Sequence, residues 1–460
     1  MNTPICDFVR GYAAMEPTRF HMPGHKGRRT GAGRPGAEDL ENGGFGMQAL
    51  DITEIEGADV LYDSHGVIRE SEENASKLFG SARSVFSTEG SSLCIRAMLY
   101  LARVYAGMRG RRPTVAAGRN AHRVFLETAA LLDLDVQWMG TGENLLRCHV
   151  TAEDLELLFR EPENAPAAVY ITSPDYLGNV TDLRPLSEIC KKNGALLLVD
   201  NAHGAYLKFM EKSEHPMDCG ADLCCDSAHK TLPVLTGGAY LHASKDSPEN
   251  LIPLMERSMA LFASTSPSWL ILQSLDAMNA RLAGDYPAKI RETAKRLEKV
   301  KQDLAADGWS LTGEEKLKLT LRPKSRGYTG TELGTRLREK GMICEFADPD
   351  NLVVMITPET EVSELERLEA VLLELPRCAP IRSVPPTPGS VKQVLSPQEV
   401  LFRPFERVPV EESIGRILAS PSVSCPPAVP IVICGERIDE NALRLFRYYG
   451  IESCEVIKTA

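Results

Sequence analysis

Cys224-Cys-Asp-Ser-Ala-His-Lys-Thr-Leu-Pro-Val-Leu-Thr-Gly-Gly-Ala239 is the stretch whose reading decides the fold. It sets Lys230 in a polar Ser-Ala-His-Lys cluster ahead of a proline and a glycine pair. Upstream, Ala195-Leu-Leu-Leu-Val199 runs into Asp200-Asn-Ala-His203. An apolar run that ends in an acid reads as a buried parallel strand delivering a carboxylate to its carboxyl end. In open α/β sheets, ligands sit at that edge. A lysine thirty residues beyond such an acid points to Schiff-base chemistry. The lysine would hold an aldehyde cofactor, pyridoxal phosphate, and the acid would pair with its ring nitrogen.

Outward from this stretch, strands and helices alternate. Residues 114–117, 136–139 and 167–172 read as strands, and 124–132 and 182–193 as helices, the last closed by Gly194. Thr151-Ala-Glu-Asp154 reads as a capping box opening a further helix. Ser84-Val-Phe-Ser87, then Thr88-Glu-Gly-Ser-Ser92, then a helix over 93–105, make a strand, a polar turn and a helix start. Free backbone N–H groups, hydroxyls and the helix dipole suit a phosphate there; a plain N-cap by Ser91 or Ser92 is the competing reading. The βαβα order predicts a doubly wound, mostly parallel α/β sheet with its polar loops along one edge.

The outer segments differ in texture. Residues 1–50 read as an irregular N-terminal arm, with Phe20-His-Met-Pro-Gly-His-Lys-Gly27 and Gly31-Ala-Gly-Arg-Pro-Gly36 too rich in Gly, Pro and charge for a core helix. His21, His25 and Lys26 fit either a basic linker or an anion-binding loop. We place the major, cofactor-binding domain at 51–285 and a small α+β domain at 286–375. A proline-rich linker follows at 376–398, and a C-terminal module at 399–460.

The 460 residues suffice for a large core, and 25% charged with 43% hydrophobic residues is ordinary for a globular protein. A net charge of −11 argues against nucleic acid as partner and suits a cationic substrate. No apolar run reaches the length of a membrane span, and the N-terminus shows no basic-then-apolar signal, so a cytoplasmic location is expected. The 12 cysteines are scattered without CxxC or zinc spacing, and read as reduced, buried thiols with no metal site.

Five separated motifs agree with one another: Phe20 to Lys26, Asp200-Asn-Ala-His-Gly-Ala205, Ser227-Ala-His-Lys-Thr231, Thr265-Ser-Pro-Ser268, and Pro430 through Gly435-Glu-Arg437. With them the chain resembles the Orn/Lys/Arg decarboxylase family along nearly its whole length. These are pyridoxal-phosphate enzymes of the aspartate-aminotransferase fold (fold type I transferases) that make polyamine precursors. The short, arginine-decarboxylase-like branch is the most similar. The resemblance implies decarboxylation of arginine, lysine or ornithine to the amine and CO2 through an external aldimine.

It implies Lys230 as the Schiff-base lysine, Asp200 on the ring nitrogen, His203 near the phenolic oxygen and His122 stacked on the ring. Gly90, Ser91, Ser92, Ser227 and His229 would hold the phosphate, with His229 also a candidate proton donor. Thr265 and Ser266 would reach the phosphate of a neighbouring subunit, making a homodimer or higher oligomer the working unit. Glu345 stands where the family has a glutamate at the active site, a candidate for the substrate's side-chain cation.

Two positions depart from the family pattern. Asn201 stands where an acid is usual, and Glu89 precedes the phosphate glycine. A carboxylate beside a phosphate repels it unless it points away. The same apparatus could serve an aminotransferase, which needs an arginine fork for the carboxylate. Arg322, Arg326, Arg336 and Arg338 are the small-domain candidates for one. Another amino-acid lyase, or a cofactor-binding protein without turnover, also fits these residues.

Overall fold

The computed structural model describes residues 1–27, 47–140, 148–387, 392–420, 422–423 and 430–458. The Gly31–Gly36 segment lies outside the described residues. Seven strands form the main sheet: β1 (Arg83–Ser87), β2 (Thr114–Gly118), β3 (Asp135–Met139), β4 (Ala168–Thr172), β5 (Leu196–Asp200), β6 (Leu223–Asp226) and β7 (Ala239–Ala243). Their order is β1-β7-β6-β5-β4-β2-β3. The pairs from β6 through β3 are parallel, while β7 runs antiparallel to both β6 and β1.

β5 shows why both faces are covered. All five of its residues are buried. Leu196 and Leu198 join one apolar cluster with the helix Gly90–Met108, while Leu197 and Val199 join the opposite cluster with the helix Leu183–Asn193. A strand with apolar side chains on both pleats needs helices on both faces, which right-handed crossovers supply. Gly80 (φ 70°) ends the helix Val67–Phe79 and Gly194 (φ 62°) ends Leu183–Asn193, both in the left-handed conformation.

A second, antiparallel sheet has the order β10-β11-β9-β8, from β8 (Leu311–Thr312), β9 (Lys318–Leu321), β10 (Phe346–Ala347) and β11 (Leu352–Met355). The 21-residue helix Tyr286–Ala306 packs on it through Leu297, Val300 and Leu304. Near the C-terminus, Phe405–Pro409 pairs with Ser453–Ile457. Val408, Phe446 and Val456 from this region share an apolar cluster with Val169 and Val199 of the main sheet.

Two local expectations change. Residues 4–14 read as irregular but form the helix Pro4–Ala14. Pro4 occupies a helix-start position, where its missing N–H costs nothing, and Ile5 and Val9 bury one face. The helix expected from Leu93 begins already at Gly90, so Gly90, Ser91 and Ser92 are its first turn. Among the described residues, no helix is long and apolar enough to cross a membrane.

Candidate active site

The carboxyl ends of β5 and β6 bring Asp200 and Asp226 side by side, each followed by a tight turn. The Asp200 carboxylate is 3% exposed. Tyr170 Oη donates to its Oδ2 at 3.0 Å and the Ala202 N–H to its Oδ1 at 3.2 Å. After β6 the chain makes one helical turn, Ala228–Thr231, before the reversal into β7. That turn carries Lys230, whose backbone N–H bonds the Ser227 carbonyl at 3.1 Å. Lys230 Nζ lies 3.2 Å from His203 Nε2.

The surroundings make this lysine a better nucleophile. Burial lowers its proton affinity; Asp200 opposes that, Lys318 adds to it, and Glu345 opposes it, with a net fall below the usual 10.5. His203, 6% exposed, is pushed well below the usual histidine range by burial and then by Lys318 and Lys230. Both influences favour the neutral imidazole. The Tyr176 ring stands edge-on to it, with centroids 5.5 Å apart.

The polar turn after β1 closes against the Lys230 turn. Ser227 Oγ donates to Ser91 Oγ at 2.8 Å, and the Gly90 N–H to the Gly237 carbonyl at 2.7 Å. Both glycines are required. Gly237 has φ +99° and a side chain there would meet the Thr88 carbonyl at 2.7 Å. Gly90 has φ +72°, and a Cβ would face open space with only His229 Cε1 at 4.0 Å. The result is a small cradle walled by two serine hydroxyls, a 19-residue helix's N-terminus and His229. His229 is anchored by Nδ1 on the Gly238 carbonyl at 3.0 Å, and burial lowers its proton affinity. This donor set fits a phosphate.

The remaining expected residues fall around this centre. His122 caps the helix Arg123–Leu131, its Nδ1 accepting from the Val124 N–H at 3.3 Å. The residue is exposed. Nearby protein atoms depress its titration first; Asp200 opposes this and Lys230 adds to it. Glu345 is exposed beside the site and accepts from Tyr176 Oη at 3.1 Å. Thr265 and Ser266 are exposed. Of the small-domain arginines, Arg326 is buried on Asp307 Oδ2 at 2.6 Å and Arg336 lies 5.1 Å over the Tyr328 ring.

Both departures from the family pattern are accommodated. Glu89 turns outward, its Oε1 accepting the Ser264 N–H at 2.8 Å. Asn201 Nδ2 donates to Asp226 Oδ1 at 2.6 Å. The buried acid here is Asp226, whose Oδ2 also meets His215 Nε2 at 2.9 Å and His242 Nε2 at 3.3 Å. Burial works to raise Asp226, but the two histidines outweigh it and hold the carboxyl below the usual range. A second carboxylate at position 201 would be repelled by it.

The structure adds residues that the sequence did not single out. Lys318, on β9, is 2% exposed. Its Nζ lies 2.8 Å from Glu315 Oε2, 3.3 Å from the Asp175 carbonyl and 3.4 Å from His203 Nδ1. Tyr170 and Tyr176 complete the shell around Asp200 and His203.

The family model for the Orn/Lys/Arg decarboxylase major domain matches residues 3–320, and that for the Orn/Lys/Arg decarboxylase C-terminal domain matches residues 390–455. The chain belongs to the Orn/Lys/Arg decarboxylase family. Membership makes it an amino-acid decarboxylase, a lyase of amino-acid metabolism. Curated relatives include the arginine decarboxylase of Halalkalibacterium halodurans, 28% identical over 97% of this chain and 93% of that one. The arginine decarboxylase of Bacillus subtilis is 27% identical over the same shares. Among solved structures, lysine decarboxylase A of Pseudomonas aeruginosa superposes with a TM-score of 0.79 over 99% of this chain and 80% of that one, at 18% identity. A NifS-like protein also matches, with a TM-score of 0.53 over 67% of this chain and 89% of that one, at 16% identity. These likenesses establish the fold, that of the type I pyridoxal-phosphate enzymes.

Proposed function

We propose that this chain is a pyridoxal-phosphate-dependent decarboxylase of a basic amino acid, releasing CO2 and the corresponding amine. The observation that carries this reading is the pairing of a lysine of depressed proton affinity with a buried carboxylate. Lys230 and Asp200 stand at adjacent strand ends beside the serine-lined cradle. Family membership supports the reaction class, and the names of the two arginine decarboxylase relatives support arginine over lysine and ornithine as the first substrate to test.

When bound, pyridoxal phosphate supplies an electron sink for the bond to the departing carboxyl group. The chain's own residues do the rest. Lys230 offers an amine for covalent attachment. Asp200, fixed by Tyr170 and the Ala202 N–H, presents a carboxylate that keeps a facing ring nitrogen protonated. Gly90, Ser91, Ser92, Ser227 and His229 hold the phosphate, and His122 offers its open face for stacking. His203 sits beside the lysine amine as a hydrogen-bond partner. Lys230 or His229 returns a proton to the substrate carbon after CO2 leaves. Glu345, steadied by Tyr176, attracts the substrate's distal cation at the mouth.

The same reading makes the working unit a homodimer, with Thr265 and Ser266 of one subunit reaching the phosphate of the next, in the cytoplasm and in polyamine precursor synthesis. The exposure of both side chains supports this. The test is borohydride reduction of the cofactor-loaded protein followed by peptide mapping. Label on Lys230, and loss of the yellow lysine-bound absorbance in Lys230→Ala, is the expected result. Label elsewhere, or an unchanged absorbance in the variant, refutes the assignment.

A further inference from the structure

His203 lies between two lysines, with Nε2 3.2 Å from Lys230 Nζ and Nδ1 3.4 Å from Lys318 Nζ. An ammonium has three donors and no lone pair. Around Lys318 Nζ stand two hydrogen-bond acceptors, the Asp175 carbonyl at 3.3 Å and His203 Nδ1, with the Glu315 carboxylate as its ion-pair partner at 2.8 Å. Nδ1 must therefore carry the lone pair. A neutral imidazole with a free Nδ1 has its proton on Nε2, aimed at Lys230. To accept that proton in a hydrogen bond, Lys230 Nζ needs a lone pair of its own.

We propose that the buried Lys318–Glu315 pair is a positioning device that locks His203 in the Nε2–H tautomer and thereby holds Lys230 as the free amine. The proposal deepens, and rests on, the reading of Lys230 as the lysine that captures pyridoxal phosphate. Only the free amine can add to an aldehyde carbon. The C–N double bond forms as the carbonyl oxygen leaves in water with the two amine hydrogens.

The pair itself calls for such a role. Both residues are 2% exposed, and burying an ion pair gains little stability over apolar side chains of the same size. The charged and titratable groups that act on this centre are Asp200, Glu345 and Cys225, which favour a protonated Lys230. Lys318 opposes them at Lys230, and Lys318, Lys230, His122 and His229 all keep the His203 ring neutral. Lys301 and Asp175 lie near Glu315, whose proton affinity is raised by burial and lowered by Lys318.

The test compares wild type with the double variant Lys318→Met/Glu315→Gln, which removes both charges together and leaves neither partner buried alone. Net local charge is then unchanged, but the direct push of Lys318 on Lys230 is lost as well, so the tautomer of His203 is read separately. Capture of pyridoxal phosphate by the cofactor-free protein is followed by absorbance across pH. We expect the midpoint to rise by about one unit, making capture about tenfold slower at neutral pH. An unchanged pH profile overturns the proposal. A second measurement uses wild type alone: nitrogen NMR of histidine-labelled, cofactor-free protein, with the His203 signal assigned by its loss in His203→Gln. Protonation at Nε2 is expected, and protonation at Nδ1 overturns the proposal even if the double variant does not fold. A wild type that captures no cofactor overturns the reading of Lys230 instead, and the NMR result then decides the tautomer by itself.

Discussion

Replacing Asp226 by alanine should cost far more than its distance from the chemistry suggests. The side chain is fully buried, and two donors bond it, Asn201 Nδ2 at 2.6 Å and His215 Nε2 at 2.9 Å, with His242 Nε2 an ion-pair contact at 3.3 Å. Alanine leaves both donors buried without an acceptor. Each orphan costs about 1–3 kcal/mol, and the two share one site, so the terms do not simply add. Breaking a buried charged network of this kind costs about 4 kcal/mol, roughly a thousandfold in the folding equilibrium. Urea unfolding followed by circular dichroism should show the midpoint falling with little change in slope. The pH dependence carries a sign. Because the folded-state pKa of Asp226 lies below its ordinary 3.8, its contribution is present above that pH and is lost as pH falls through the lower folded value. Wild type should therefore lose stability on acidification more steeply than Asp226→Ala. A destabilisation under about 1 kcal/mol, or parallel acid profiles, would refute the reasoning.

Three further outcomes follow from the site. Asp200→Ala should retain cofactor capture by Lys230 yet lower kcat by roughly two to three orders of magnitude, since it removes one fixed charge aimed at the reacting group; near-normal turnover contradicts its role. Gly90→Ala meets no clash beyond His229 Cε1 at 4.0 Å, so its stability cost is the left-handed backbone alone, about 1–2 kcal/mol. The new methyl stands in the cradle, so phosphate and pyridoxal phosphate affinity should fall by a larger factor in titrations. Glu345→Gln should raise KM for a basic amino acid about tenfold with kcat little changed, the signature of a lost charge contact in binding.

Much of the main sheet was legible because its signals are local. The run of 195–199 into Asp200, the capping box at Thr151 and Asp154, and the glycine stop at 194 each depend on neighbours in sequence. Lys230 and Asp200 were legible for the same reason, as residues at strand ends. Lys318 was not. In Leu317-Lys-Leu-Thr-Leu321 strict alternation places Lys318 and Thr320 on a polar face, which reads as solvent-facing. That face is buried instead, because β9 lies between β11 and β8 and presses against the 175–177 loop of the main sheet. Thr320 Oγ1 donates there to the Leu177 carbonyl at 2.9 Å. Burial of that face is a tertiary fact with no sequence signal.

The N-terminal helix was hidden by composition. Glycine and proline dominate residues 23–36 and coloured the reading of 4–14, where Ile5 and Val9 find the core and the Cys6 N–H bonds Asp276 Oδ2 at 2.9 Å. Asn201 illustrates the opposite case. The sequence flagged it as a departure, and its meaning emerged only when β6 brought Asp226 beside it.

The central claim is decarboxylation of a basic amino acid on pyridoxal phosphate. Purified protein loaded with pyridoxal phosphate should be given arginine, lysine and ornithine in separate reactions, with CO2 and the amine followed by mass spectrometry. One dominant amine, agmatine first among the three, released in equal amount with CO2 and absent in Lys230→Ala, is the predicted result. No amine from any of them, in protein that shows the lysine-bound cofactor absorbance, would contradict the account.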